Sequence, residues 1–449
     1  MVTTKRQAKF ALLLLFGINV MNFYDRQVVG AIGEKIKAEW LLSDGQLAGL
    51  TTAFILLYAV VGIPLGRLAD VGSRRYVLAI GVTVWSVFTG LSGLAGSFGA
   101  LIACRLGVGV GEASAAPAAN SLIGDLFPPA QRARAISIFM LGVPVGVGAS
   151  AFISGVVAQM TGGWRSALFV AAAPGFVLGL LALTLPEPSR GAADQGVATH
   201  TRSAGESIRS VLAIPTMRWI IVSGALYNLN GYAIAAFLTS FFIRYHGLNI
   251  DIANRFSGVI FGVAGTIGML GGGWLGDHAS ARTPCSRLRI AAIGSVCVAP
   301  LLWIALQQPR GEYWAFAAFM FTAMTAYYTY YSTVYASIAD IVEPQTRGTA
   351  MSVYFFVFYI FTAIGLVVFG RLSDWRSAVA QTLGASAADG RAAGLHDALL
   401  VVPFVSIAVA LSLWLASRSA TAITRTDSLN RSLTDGVQVV HVDTGGAAR

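Results

Sequence analysis

Twelve runs of mostly apolar residues, each long enough to cross a lipid bilayer as a helix, leave this chain little choice of fold. They cover 10–32, 46–67, 75–95, 98–122, 134–159, 165–186, 216–243, 253–276, 286–306, 313–339, 347–371 and 397–417. About 20 such residues span a hydrocarbon core of roughly 30 Å. In lipid a backbone must satisfy its own N–H and C=O groups, which helices and closed barrels do. Barrel strands alternate every second residue, and these runs do not. The expectation is an all-α polytopic membrane protein. Composition agrees: of 449 residues, 55% are hydrophobic and 12% charged, about half the charge of an ordinary soluble chain.

The net charge of +10 is spread over short loops rather than gathered on one face, so no nucleic-acid partner is expected. Lys and Arg instead report orientation, because they accumulate on the cytoplasmic side. With both termini on one side, that side holds 20 of the 31 Lys and Arg, and the other holds nine. Both ends are therefore expected in the cytoplasm, with the chain in a bacterial inner membrane. Lys5, Arg6 and Lys9 before Phe10–Ile18 have the shape of a signal peptide, but no small-residue cleavage site follows. The run is read as a span that stays. Cys104, Cys285 and Cys297 are too scattered for a disulfide framework or zinc site. The five His lie in loops or at span ends, and neither H-E-x-x-H nor a Walker-type loop occurs. No enzyme, metal or cofactor is expected.

The polar segment 187–215 divides the spans six and six, giving bundles at 1–186 and 216–417 and a polar tail, read as disordered, at 418–449. The halves repeat each other. Asp125, Pro129 and Arg132 follow the fourth span with the spacing of Asp340, Pro344 and Arg347 after the tenth. Gly66 and Asp70 follow the second as Gly273 and Asp277 follow the eighth. Parallel six-helix halves are a transporter architecture, with cargo bound between them near the midplane. The string Gly66-Arg-Leu-Ala-Asp70-Val-Gly72-Ser-Arg74-Arg75 resembles the loop motif of the major facilitator superfamily, with Val71 where a basic residue is usual. That resemblance implies two pseudo-symmetric six-helix bundles and a cavity lined by spans 1, 4, 7 and 10. It marks Asp70, Arg74 and Asp277 as gating residues, with Asp70 expected near the N-terminus of the eleventh helix or a loop cation and Asp277 in the pseudo-symmetric place near the fifth.

A narrower resemblance lies in Asn22-Phe-Tyr-Asp25-Arg26 and in Arg105-Leu-Gly-Val-Gly-Val-Gly-Glu112-Ala-Ser114, which are similar to the Spinster family. It implies lysolipid cargo, such as lysophospholipids or sphingosine-1-phosphate.

Asp25, Arg26, Arg105 and Glu112 are ionisable residues inside spans, where each costs at least about 2.5–3.5 kcal/mol. At 1.5 Å per residue, Asp25 lies about 22 Å from the inner side and Arg105 about 10 Å from the outer side, nearly level. Glu112, two turns below Arg105, has no cation at its own level. A lone carboxylate at low dielectric is best placed to take up and release a proton, so Glu112 is the expected proton carrier. Asp25 is expected to stay ionised against Arg26 or Arg105. If Arg26 reaches down to Glu112, the two carboxylates exchange roles. Arg26 and Arg105 offer forked donors to an anionic head. The second half contributes Tyr227, Asn228, Asn230, Tyr327 and Tyr331 as uncharged cargo ligands. Gly107, Gly109, Gly111 and Pro117 in the fourth span, and Gly142, Pro144 and Gly146 in the fifth, mark close approach and bending.

These features add up to a monomeric secondary transporter in the bilayer, working by alternating access. Its expected cargo is an anionic amphipathic lipid moved with protons; the alternative is a small organic anion such as a sugar acid.

Overall fold

The computed structural model describes residues 4–189, 204–280, 286–342 and 347–440. Twelve helical spans follow one another in two bundles. The first bundle holds α1 (Lys5–Trp40), α2 (Asp44–Val71), α3 (Arg74–Ser92), α4 (Phe98–Leu126), α5 (Pro129–Met140 and Gly142–Met160) and α6 (Arg165–Ala182). The second holds α7 (Pro215–Arg244), α8 (Ile250–Val259 through Gly265–Ser280), α9 (Ser286–Leu306), α10 (Tyr313–Ile341), α11 (Arg347–Thr382) and α12 (Ala387–Leu399 and Val401–Val440). Eleven of these are apolar enough to count as spans by hydropathy among the described residues. The remaining one is α10, whose 29 residues suffice in length. Its Tyr, Thr and Ser lower the hydropathy without exposing charge.

Local sequence sets the helix ends. Thr4 with Gln7, and Ser43 with Gln46, form capping boxes that start α1 and α2. The expected bends occur. α4 breaks at Ala113 and Ser114, directly after Glu112, and Ser114 Oγ donates to the Gly111 carbonyl at 2.8 Å. α5 breaks at Leu141, just before Pro144. α8 contains a π turn at Ile260–Ala264. The last helix runs past Arg418 as far as Val440, so the segment read as an unstructured tail is helical up to that point. Helix propagation fixes one residue per hydrogen bond, and no Pro interrupts this stretch.

Within the first bundle α1 packs on α5, and α3 on α4 and α6; in the second, α9 packs on α10 and α12, and α7 on α11 and α12. Between bundles α2 lies along α11, α5 against α8, and α1 against α7. Lipid gives helices no hydrophobic reason to associate, so close packing relies on small residues. A Cβ on Gly148 would come within 2.5 Å of Gly262 Cα, and one on Gly30 within 2.9 Å of the Ala235 carbonyl.

The internal repeat is structural. Arg74, at the start of α3, pairs with Asp125 at the end of α4. Arg287, at the start of α9, pairs with Asp340 at the end of α10. Arg74 also donates to Glu187 Oε1 at 2.6 Å, to Ser121 and to the Pro188 carbonyl, which ties the beginning of the linker to the first bundle. Arg74 therefore braces one bundle. The side chains of Asp70 and Asp277 lie outside the described residues.

Candidate functional site

α1 and α4 cross where the four charged residues meet. Asp25 and Glu112 are fully buried, and Arg26 and Arg105 nearly so. Arg105 donates from Nη2 to the Asp25 carbonyl at 2.8 Å, which confirms that the two are level. Among the described residues neither carboxylate oxygen of Asp25 has a hydrogen-bond partner.

Glu112 is not isolated, contrary to expectation. Arg26 Nε donates to Glu112 Oε2 at 2.8 Å. A long guanidinium side chain, one position beyond Asp25, reaches across from α1 to the end of the first half of α4. The break after Glu112 places that carboxylate at a helix end. Among the described residues the Asp25 carboxylate accepts no hydrogen bond from either arginine: Arg26 pairs with Glu112, and Arg105 donates to the Asp25 backbone carbonyl.

Aromatic rings enclose Arg26. Its guanidinium carbon lies 4.3 Å from the Tyr58 ring centroid, 5.0 Å from Phe23 and 5.6 Å from Phe54. Such cation–π contacts are worth about 2 kcal/mol or more when desolvated. Nη1 donates to the hydroxyl of Tyr359, on α11, at 3.1 Å. The charged cluster of the first bundle thus reaches into the second. Sequence reasoning missed Tyr58 and Tyr359; a tyrosine in the middle of an apolar run was the signal available. From Tyr359 an aromatic strip continues through Phe355, Tyr335 and Tyr331, with centroid separations of 6.2, 5.7 and 5.5 Å.

The other expected cargo ligands divide. Tyr331 belongs to that strip. Tyr227 is stacked between Tyr327 and Tyr330 at 4.0 and 3.8 Å. Its hydroxyl donates to the Tyr327 carbonyl, and Tyr327 returns the bond to the Tyr227 carbonyl at 2.7 Å. Asn228 donates to Thr362 Oγ1 at 2.6 Å, and Asn230 to Ser406 Oγ at 3.0 Å. Tyr227, Asn228 and Asn230 therefore join α7 to α10, α11 and α12. The Tyr227 hydroxyl and the two amide nitrogens make these links. Among the described residues no cluster of His, Cys, Asp or Glu is arranged to hold a metal ion.

Comparison with known proteins agrees with this geometry. The family model described as the Major Facilitator Superfamily matches residues 15–366. An MFS-type efflux pump of Mycolicibacterium smegmatis is 30% identical over 414 residues, covering 92% of this chain and 93% of the relative. Protein spinster homolog 3 of Danio rerio is 31% identical over 392 residues, covering 83% and 78%. A crystal structure of a bacterial homolog of the human lysosomal transporter Spinster, inward-facing and unoccupied, superposes with a TM-score of 0.78 at 27% identity, covering 93% of this chain and 98% of that one. The chain belongs to the Major Facilitator Superfamily and is a Spinster-like transporter.

Proposed function

We propose that this member of the Major Facilitator Superfamily moves an anionic amphipathic lipid, of lysophospholipid or sphingosine-1-phosphate type, by proton-coupled alternating access. One observation carries the reading: Arg26 is a buried cation held by Glu112 of its own bundle and Tyr359 of the other, at the head of an aromatic strip. A guanidinium suits an anionic head, and the strip suits an apolar tail.

The proton takes its seat in the same cluster. Arg26 neutralises Glu112, whereas among the described residues no group donates a hydrogen bond to the Asp25 carboxylate. Burying an isolated ionised carboxylate costs far more than burying the neutral acid. Asp25 is then the proton carrier, and Glu112 holds Arg26 in place until cargo competes for it. The Lys and Arg distribution supports an orientation with both termini in the cytoplasm.

The test is uptake into proteoliposomes of a labelled lysophospholipid, with and without a pH gradient. Accumulation driven by the gradient is the expected result. Uptake of a sugar acid without uptake of the lipid would replace the cargo assignment. Lipid uptake indifferent to the gradient would remove the proton.

A further inference from the structure

The faces of the molecule differ in how the bundles meet. At the face where α1 ends and α2 begins, here termed distal, a dense polar network crosses between bundles. Asp44, the first residue of α2, is 2% exposed. Its carboxylate receives both Nη atoms of Arg244 at 2.8 Å, Lys37, and Ser373 Oγ at 2.7 Å. Arg244 closes α7 and also binds Glu34 of α1. Ser373 belongs to α11.

Asp374, the next residue of α11, does something different. Its Oδ1 accepts the Asp44 N–H at 2.8 Å, and its Oδ2 accepts the Gly45 N–H at 2.7 Å. The first N–H groups of a helix have no partner within it. In α2 the third, on Gln46, is taken by Ser43 of the same chain segment at 3.1 Å. The first two are satisfied by a carboxylate from the opposite bundle. Glycine makes room: a Cβ on Gly370 would come within 2.7 Å of the Asp44 carbonyl, and one on Gly45 within 3.1 Å of Asp374 Oδ2.

The pseudo-equivalent seam, between α5 and α8, has no such carboxylate among the described residues. There Asn249 caps its own helix, and Asp251 pairs with Arg255 one turn on. Gly155 meets Asn254, and Gly148 meets Gly262. One distal seam is bound by ions; at the other, among the described residues, the link is a neutral hydrogen bond, from Asn254 Nδ2 to the Ala31 carbonyl at 2.9 Å.

We propose that Asp374 is a gating residue: a helix cap supplied across the two bundles, which holds the distal face closed and must let go of α2 for that face to open. The inference concerns gating and stands whatever the cargo. Separation leaves two backbone donors and a carboxylate to find water, so the cap favours the closed distal face over the open one. A ligand or contact shifts such an equilibrium only by its differential interaction with the two states. This cap exists in only one of them.

The experiment measures distances across the distal face by pulsed electron spin resonance in nanodiscs. Spin labels go on Met160→Cys and Leu383→Cys, after Cys104, Cys285 and Cys297 are changed to Ser. Asp374→Ala should raise the ratio of long to short distances by about tenfold, the change that about 1.4 kcal/mol produces. Asp374→Asn keeps an oxygen acceptor and should shift the ratio less. An unchanged distribution in folded Asp374→Ala overturns the proposal. Should that variant not fold, Asp374→Asn decides: a wild-type ratio in it overturns the proposal, and a raised one supports it.

Discussion

Arg26 and Glu112 share a 2.8 Å hydrogen bond at a point where Arg26 is 4% exposed and Glu112 not at all. Removing one member of a buried pair leaves a charge without its partner, at about 3–5 kcal/mol, whereas replacing both with apolar groups is often neutral. Glu112→Leu alone and Arg26→Met alone should each lower the melting temperature in detergent. The double variant should recover most of the loss while failing to transport. Additive losses would mean that the two charges do not depend on each other.

Asp25→Asn behaves differently. Among the described residues no donor serves the Asp25 carboxylate, so the amide should fold with little change in melting temperature. Gradient-driven accumulation in proteoliposomes should vanish while cargo exchange continues. Retained accumulation would return the proton to Glu112, which Glu112→Gln tests in the same assay.

Tyr359→Phe removes only the hydroxyl that receives Arg26 Nη1. A hydrogen bond to a charged group is worth about 1.5–3 kcal/mol. Transport should fall by about tenfold or more with the fold intact by thermal melting. A wild-type rate would show that the link between bundles at this point is dispensable.

Glu187 gives a dependence on pH. Burial pushes its carboxyl up from 4.5, but hydrogen bonds from the Arg75 N–H, Arg74 and Ser73 outweigh that and lower it. A depressed folded value contributes stability above the unfolded value of about 4.5 and loses it as pH falls through the folded one. Melting temperature should therefore drop as pH is taken below about 4.5, and Glu187→Gln should flatten that limb. Identical acid limbs in wild type and variant would contradict the assignment.

Gly148→Val puts side-chain atoms where Gly262 already stands. The seam between α5 and α8 should no longer close, and the distance between distal spin labels should lengthen. Gly262→Ala, with 3.3 Å to Gly148 Cα, should have a smaller effect in the same measurement.

The spans, the repeat and the four buried charges were legible because each is written in consecutive residues. Their partnerships were not. Depth arithmetic placed Arg105 level with Asp25, but it could not say that the guanidinium takes the backbone carbonyl. It left open whether Arg26 stays at the level of its own Cα or reaches down to Glu112, as the side chain does. Nor could it give the partners of Tyr227, Asn228 and Asn230, because a sequence does not give the rotation of a helix within its bundle. In the fold they face α10, α11 and α12. Tyr58 and Tyr359 escaped notice for the converse reason: they are 301 positions apart, yet their rings meet at 5.2 Å.

The cap on α2 also fixes a fulcrum. From Asp374 back to Arg347 is 27 residues of α11, an arm of about 40 Å at 1.5 Å per residue. With the distal end pinned, a tilt of roughly ten degrees sweeps the other end through about 7 Å on that arm length. Tyr359, 15 residues from Asp374, would move little more than half as far. Such leverage would let a small adjustment beside Arg26 become a wide opening at the far mouth, and the strength of the cap would then set how much of a swing is spent on opening and how much on slipping at the pivot.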